Sequence, residues 1–176
     1  MQTVIHHSLL LFFIWLMMTA ALHKFRHGSY YAALLRDYLT LPNRAYRPTI
    51  YFIAVSESLT ALLLLIPSMR VSALIAIALL LTLYLFGMSW QLLQGRGDLD
   101  CGCSGPAAGI HLSPALLIRN LILIALTGFA SSTVDPISVT GFEITAVVSA
   151  LFLILLYLCA EQLLANAQRF RASWGQ

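Results

Sequence analysis

Charge is what this chain has least of. Asp, Glu, Lys and Arg make up 10% of its 176 residues, against roughly 25% in a soluble domain. Seven acidic and ten basic side chains cannot coat a water-facing surface of that size, so a soluble globular fold is excluded. Cysteine is also scarce. Three thiols, two of them one residue apart, are too few for a disulfide framework and too oddly placed for a zinc finger. Nothing resembles a phosphate loop, a Ser-His-Asp arrangement or a nucleotide fold, so those enzyme classes fall away. The net charge of +3 does not point to nucleic acid, because the basic residues lie in short segments between apolar runs and form no single face.

What is abundant is hydrocarbon: 60% hydrophobic residues and a mean hydropathy of +0.85. A helix needs about 20 mostly apolar residues to cross a bilayer core, where backbone polar groups must be satisfied internally. Five stretches qualify, at about 3–22, 49–66, 71–93, 114–131 and 139–160. Pro48, Pro67, Pro114 and Pro136 stand at their edges, where a missing amide hydrogen does least harm. The expected fold is therefore all-α, one polytopic membrane domain over 1–176, with a four-helix bundle core and a fifth span packed against it. The first stretch reads as a retained helix and not a signal peptide, since Met1 to His7 lacks Lys and Arg and the apolar run is long. Between the first two spans, Tyr31, Leu34, Leu35, Tyr38 and Leu41 recur near the helical period, as in a helix lying at the lipid surface.

Orientation follows from the basic residues. Lys24, Arg26, Arg36, Arg44, Arg47, Arg96, Arg169 and Arg171 fall on one side, with Arg119 a turn inside the fourth span, and Arg70 alone on the other. This places the N-terminus outside and the C-terminus in the cytoplasm.

The loop after the third span reads Gly95-Arg96-Gly97-Asp98-Leu99-Asp100-Cys101-Gly102-Cys103-Ser104-Gly105-Pro106. Gly102 permits the backbone angles that a tight ring between Cys101 and Cys103 needs. Strained disulfides are easier to reduce, which suits exchange. Asp98 and Asp100 oppose thiolate formation and Arg96 favours it. Two other readings stay open: small residues in a Gly-rich turn, or a soft-metal site completed by His111. For the metal, a fourth ligand is not evident, and no metal site is assigned.

Cys159 reads as a packing residue of an apolar helix, and Glu161 as an interfacial carboxylate reaching water. His6 and His7 read as interfacial anchors, and Trp15 and Trp90 as packing or belt residues. Glu57 lies mid-span in Ser56-Glu57-Ser58-Leu59, where a carboxylate costs about 2.5–3.5 kcal/mol on insertion scales and must face protein. Two roles fit it. It passes protons or hydrogen-bonds a quinone headgroup, or it bonds across to Arg119, Asn120 or a hydroxyl on a neighbouring helix.

The pattern resembles the MauE family, methylamine utilisation proteins grouped with DoxX-type membrane proteins. The resemblance is carried by Glu57 in its Ser56-to-Leu59 setting, by the third helix running into Gly95-Arg96-Gly97, by Asp100-Cys101-Gly102-Cys103-Ser104-Gly105, and by Pro114 with Leu117-Ile118-Arg119-Asn120-Leu121. It covers most of the chain, and the Cys-Gly-Cys turn is its most specific element. Ser104 departs from the family, which commonly has an aromatic residue there. The resemblance implies a DoxX-like helical bundle in a bacterial inner membrane. It also implies an accessory role in processing, transport or maturation of the small, disulfide-rich β subunit of methylamine dehydrogenase, with a membrane-tethered thioredoxin-like protein as partner. Residues expected to act are Cys101, Cys103 and Glu57, with a quinone as the cofactor to consider. The other classes are a quinone-linked thiol oxidoreductase and a non-redox membrane chaperone or export factor.

Overall fold

A computed structural model describes residues 2–39, 42–97, 99, 111–132 and 144–174. Among these there is no strand, and six α-helices follow one another: α1 Gln2–Arg26, α2 Gly28–Tyr38, α3 Tyr46–Leu63, α4 Arg70–Leu93, α5 Pro114–Ser132 and α6 Ile144–Trp174, with a 3-10 turn at Pro67–Met69 before α4. The all-α polytopic reading holds. Helices over Thr3–Arg26, Pro67–Leu93, Pro114–Ser132 and Ile144–Phe170 are long and apolar enough to cross a membrane. α3 has 18 residues and carries Arg47 and Glu57. Its outer face is apolar, with Phe52, Val55, Leu59 and Leu62 exposed, and we propose it as the fifth crossing.

Two of the helices, α3 and α5, bury a stripe at near-heptad spacing. On α3 the stripe is Tyr46, Ile50, Ala54, Glu57 and Ala61; on α5 it is Leu116, Asn120, Leu123, Thr127 and Ala130. Such spacing keeps one face on the neighbours over several turns. α1 is the axis: 56% of its membrane window is buried, against 11% for α6. It packs along α3 on one side and α6 on the other, while α4 pairs with α5 and touches α3. Leu10, Phe13, Met17, Leu64, Leu74 and Ile77 fill the centre. Ala54, Ala61, Ala73, Ala130 and Ala146 are fully buried; with lipid offering no hydrophobic drive between helices, such small residues let backbones approach. Ala61→Leu should therefore overpack the core and cost about 1–3 kcal/mol, read as a lower unfolding midpoint in detergent.

Three helices depart from their expected boundaries: α3 begins at Tyr46 instead of Thr49 and ends at Leu63 instead of Ile66. α1 continues a turn past Leu22 to Arg26, and α6 continues past Ala160 to Trp174. No Gly or Pro interrupts α6, and its extra turns carry Glu161 and Gln168, both bonded to other parts of the fold. α2 forms where the surface helix was expected, with Tyr31 and Ala32 buried.

At the far end, the end holding the N-terminus of α1, His6 and His7 are 3% exposed and so are not interfacial anchors. The His6 ring nitrogen Nδ1 lies 3.2 Å from the Ala130 carbonyl, and the Ser8 hydroxyl donates to the Ala146 carbonyl at 3.2 Å. These contacts hold α1 to α5 and α6, a role invisible from the sequence position of two adjacent histidines. Arg70 is also buried there.

Candidate functional site: a polar cavity and the neck of the thiol loop

The end opposite His6 gathers the C-termini of α1, α4 and α6, the N-termini of α3 and α5, and all of α2. Glu57 is fully buried near this end. Lys24, the chain's single lysine, donates to both of its carboxylate oxygens, at 2.7 Å and 2.9 Å, and the Tyr84 hydroxyl donates to Oε1 at 2.5 Å. Lys24 Nζ also lies 5.6 Å from the Tyr31 ring centroid and 5.4 Å from that of Tyr84, within cation–π range. One node thus ties together α1, α3 and α4, with α2 covering it. Lys24 is 8% exposed. It is an interior ion-pair partner and not the membrane-surface cation its sequence position suggested.

Of the partners foreseen for Glu57, a neighbouring-helix hydroxyl is present, in Tyr84. Arg119 and Asn120 are not partners. Arg119 donates to Glu161 at 2.6 Å and stacks its guanidinium 5.7 Å from the Tyr157 centroid; Asn120 donates to the Leu81 carbonyl at 3.3 Å. Glu161 is accordingly no water-facing carboxylate, its side chain being 12% exposed. The difference arises because α6 continues beyond Ala160 and carries Glu161 inside the bundle. Cys159 is exposed on the outer face of α6, so it does not pack inside the bundle. Trp15 packs edge-on to Tyr157, and Trp90, half exposed, stacks on Phe86.

Both pairs border a cavity of about 650 Å³ that is lined from all six helices. Its walls are apolar and aromatic, with Lys24, Glu57, Tyr84, Gln91, Arg119 and Asn120 among the lining residues. That size and mixture are those of a small-molecule site.

Cys101, Cys103, Asp98, Asp100 and Ser104 lie outside the described residues. The chain on either side of them is held by hydrogen bonds. α4 ends in a Schellman turn: Gly95, at φ +76°, donates to the Leu92 carbonyl at 3.0 Å and Arg96 donates to the Gln91 carbonyl at 3.1 Å. Only glycine takes that φ cheaply. The Arg96 guanidinium then reaches the Asp37 carbonyl at 2.9 Å and the Gln91 amide oxygen at 3.2 Å, and Gln91 donates to the Tyr38 carbonyl at 2.9 Å. α4 is thereby latched to the end of α2. Beyond it, Leu112 donates to the Leu99 carbonyl at 2.9 Å, closing a neck from which residues 100–110 leave and to which they return. On the α5 side the Gln168 amide accepts from His111 N–H at 2.9 Å and donates to the His111 carbonyl at 2.8 Å. Met88, Leu112, Leu116 and Ala165 pack at this neck, with Tyr38, Tyr84 and Leu99 against them. Tyr38, Tyr84, Met88 and Ala165 also line the cavity, so neck and cavity share walls.

The family model described as "Methylamine utilisation protein MauE" matches residues 1–133 of this sequence. The chain belongs to the MauE family. Its curated relatives include the methylamine utilization protein MauE of Paracoccus denitrificans, 30% identical over 92% of this chain and 88% of the relative. That of Methylophilus methylotrophus is 28% identical over 86% of this chain and 81% of the relative. No solved structure matches. The MauE match reaches from α1 through α5 and so takes in the Lys24–Glu57–Tyr84 node and both sides of the neck. Sequence reasoning missed Lys24 as the partner of Glu57 and Arg119 as the partner of Glu161, and missed Tyr84, Gln91 and Gln168 altogether. A usable signal existed for the first: a buried mid-span acid demands a cation, and the lone lysine sits at the end of the adjoining apolar run.

Proposed function

We propose that this multi-pass membrane protein serves methylamine utilisation as an accessory factor in the processing, transport or maturation of the disulfide-rich β subunit of methylamine dehydrogenase, acting by thiol–disulfide exchange at Cys101 and Cys103. Family membership supports the role in methylamine utilisation. The thiol reading is supported most by one observation, the hydrogen-bonded neck at Leu99 and Leu112. It joins the two flanks of the segment bearing both thiols, and Arg96 and His111 tie those flanks to the end of α2 and to α6, as a loop that must present a dithiol to a partner requires. A membrane-tethered thioredoxin-like protein is the proposed partner.

We place the protein in a bacterial inner membrane with its N-terminus outside and its C-terminus in the cytoplasm. Burial of Lys24 removes one cation from the count, yet Arg26, Arg36, Arg44, Arg47, Arg96 and Arg169 remain exposed at the cavity end. This puts the dithiol on the cytoplasmic side while the client folds outside. Electrons then cross by alternate exposure of the thiols, through a quinone, or through a second protein. A membrane-impermeant maleimide applied to intact cells should leave Cys101 and Cys103 unlabelled until the membrane is opened; labelling of intact cells reverses the orientation.

The exchange itself is tested by leaving one thiol. In a Cys103→Ser protein the remaining thiolate attacks a disulfide but cannot resolve the product, so a mixed disulfide should accumulate, reducible and identifiable by mass spectrometry. Cys101→Ser tests the reverse assignment. If neither variant traps any protein while client maturation proceeds, the protein is a non-redox chaperone or export factor.

A further inference from the structure

We infer that the cavity is a binding site for a lipophilic quinone, its ring held between the Lys24–Glu57–Tyr84 node and the Arg119–Glu161 pair and its isoprenoid tail leaving between α2 and α4. Three observations carry this. The first is the mouth: Leu83, Phe86 and Trp90 of α4 line the cavity and are 66%, 67% and 53% exposed on the outer face, so the opening meets lipid and admits a molecule that arrives through the bilayer. Leu39, the residue that follows α2, is exposed on the same rim.

The second is the charge balance inside. The two buried cations are paired, Lys24 with Glu57 and Arg119 with Glu161, so a neutral ring is favoured between them; Arg169, which is exposed, also lines the cavity, and the phosphatidylglycerol arm of the test below separates a phospholipid from a quinone. The third is what the polar groups offer. Lys24 gives two of its three N–H groups to Glu57, leaving one. His23 borders the cavity half-buried, its imidazole without a hydrogen-bond partner among the described residues; an imidazole both donates and accepts. Asn120 adds an amide. Donors beside the tyrosine rings Tyr31, Tyr84 and Tyr157 suit a flat molecule with carbonyl acceptors, which stacks on aromatics and is polar at its ring alone.

Binding is read from the described residues and stands without the thiols. Its use as an oxidant rests on the exchange reading above: two S–H bonds break, one S–S bond forms, and the two electrons and two protons convert both quinone carbonyls to hydroxyls.

The test uses the full chain in lipid nanodiscs and an azido-benzoquinone bearing a short isoprenoid tail. Photolabel should map to α1 near Thr19–Lys24 and to α4 near Leu80–Gln91, and a short-chain ubiquinone should displace it. Gly87→Leu narrows the cavity; a Cβ there meets Tyr38 at 3.9 Å, an ordinary van der Waals contact. It should weaken binding at least about tenfold with an unchanged unfolding midpoint, and His23→Leu should weaken binding with the cavity left open. Cys101→Ser/Cys103→Ser should bind as the parent does, so failure of the thiol reading leaves this one standing. Labelling elsewhere, labelling that ubiquinone does not displace, or displacement equally by phosphatidylglycerol would overturn it, the last by identifying the occupant as lipid.

Discussion

Lys24→Met is expected to remove most of the folded protein from the membrane, and Lys24→Met with Glu57→Leu to restore it. The single change keeps an unbranched chain in place of the lysine stem but leaves the Glu57 carboxylate, fully buried, with a tyrosine hydroxyl as its remaining partner. Breaking a buried pair by deleting one member costs about 3–5 kcal/mol, a large share of the roughly 5–15 kcal/mol that holds a protein folded. Deleting both members costs little, because neither charge is then stranded. Glu57→Gln alone is also expected to destabilise, since it leaves an ammonium facing a neutral amide. The yield of monodisperse protein and its unfolding midpoint in detergent report the outcome. Wild-type behaviour of the single variant would mean that the Lys24–Glu57 contact does not hold the fold together. The double variant also separates roles: restored folding without restored client maturation assigns the Lys24–Glu57 pair a part in the chemistry.

Cys101→Ser/Cys103→Ser is expected to abolish methylamine dehydrogenase formation while leaving the protein itself at its normal level in the membrane. Each change replaces one sulfur by oxygen and leaves the side chain otherwise the same. The stability effect should stay within about 0.5 kcal/mol. Exchange, in contrast, has no substitute route through a hydroxyl, which forms no disulfide. Cells carrying only this variant should therefore fail to grow on methylamine as fully as cells lacking the protein, with membrane content checked by immunoblot. Growth at the parental rate would assign the family role to the helical scaffold alone.

The parts legible in the sequence were those set by local chemistry. Apolar runs mark the long helices, Pro114 marks the first residue of α5, and the spacing of Tyr31, Leu34, Leu35 and Tyr38 marks α2. Glu57 stood out because an acid at mid-span is costly wherever it points. Its partner did not stand out. Lys24 sits in a segment where basic residues ordinarily meet headgroups, and only the packing of α1 along α3 turns it inward. The same holds for Glu161, whose pairing with Arg119 depends on α6 continuing beyond the apolar stretch, and for His6 and His7, whose burial depends on α5 and α6 closing over α1. The braces of the neck were hidden for another reason: Gln91, Arg96 and Gln168 are polar residues at helix ends, where solvation is the ordinary fate, and their bonds link helices distant in sequence.

The most direct measurement is the redox state of Cys101 and Cys103 in growing cells. In a Cys159→Ala background, cells are quenched in acid, alkylated and analysed by mass. The dithiol and disulfide forms should coexist, and their ratio should shift when the methylamine dehydrogenase β subunit is expressed. A single form, unchanged with or without the client, would contradict thiol–disulfide exchange.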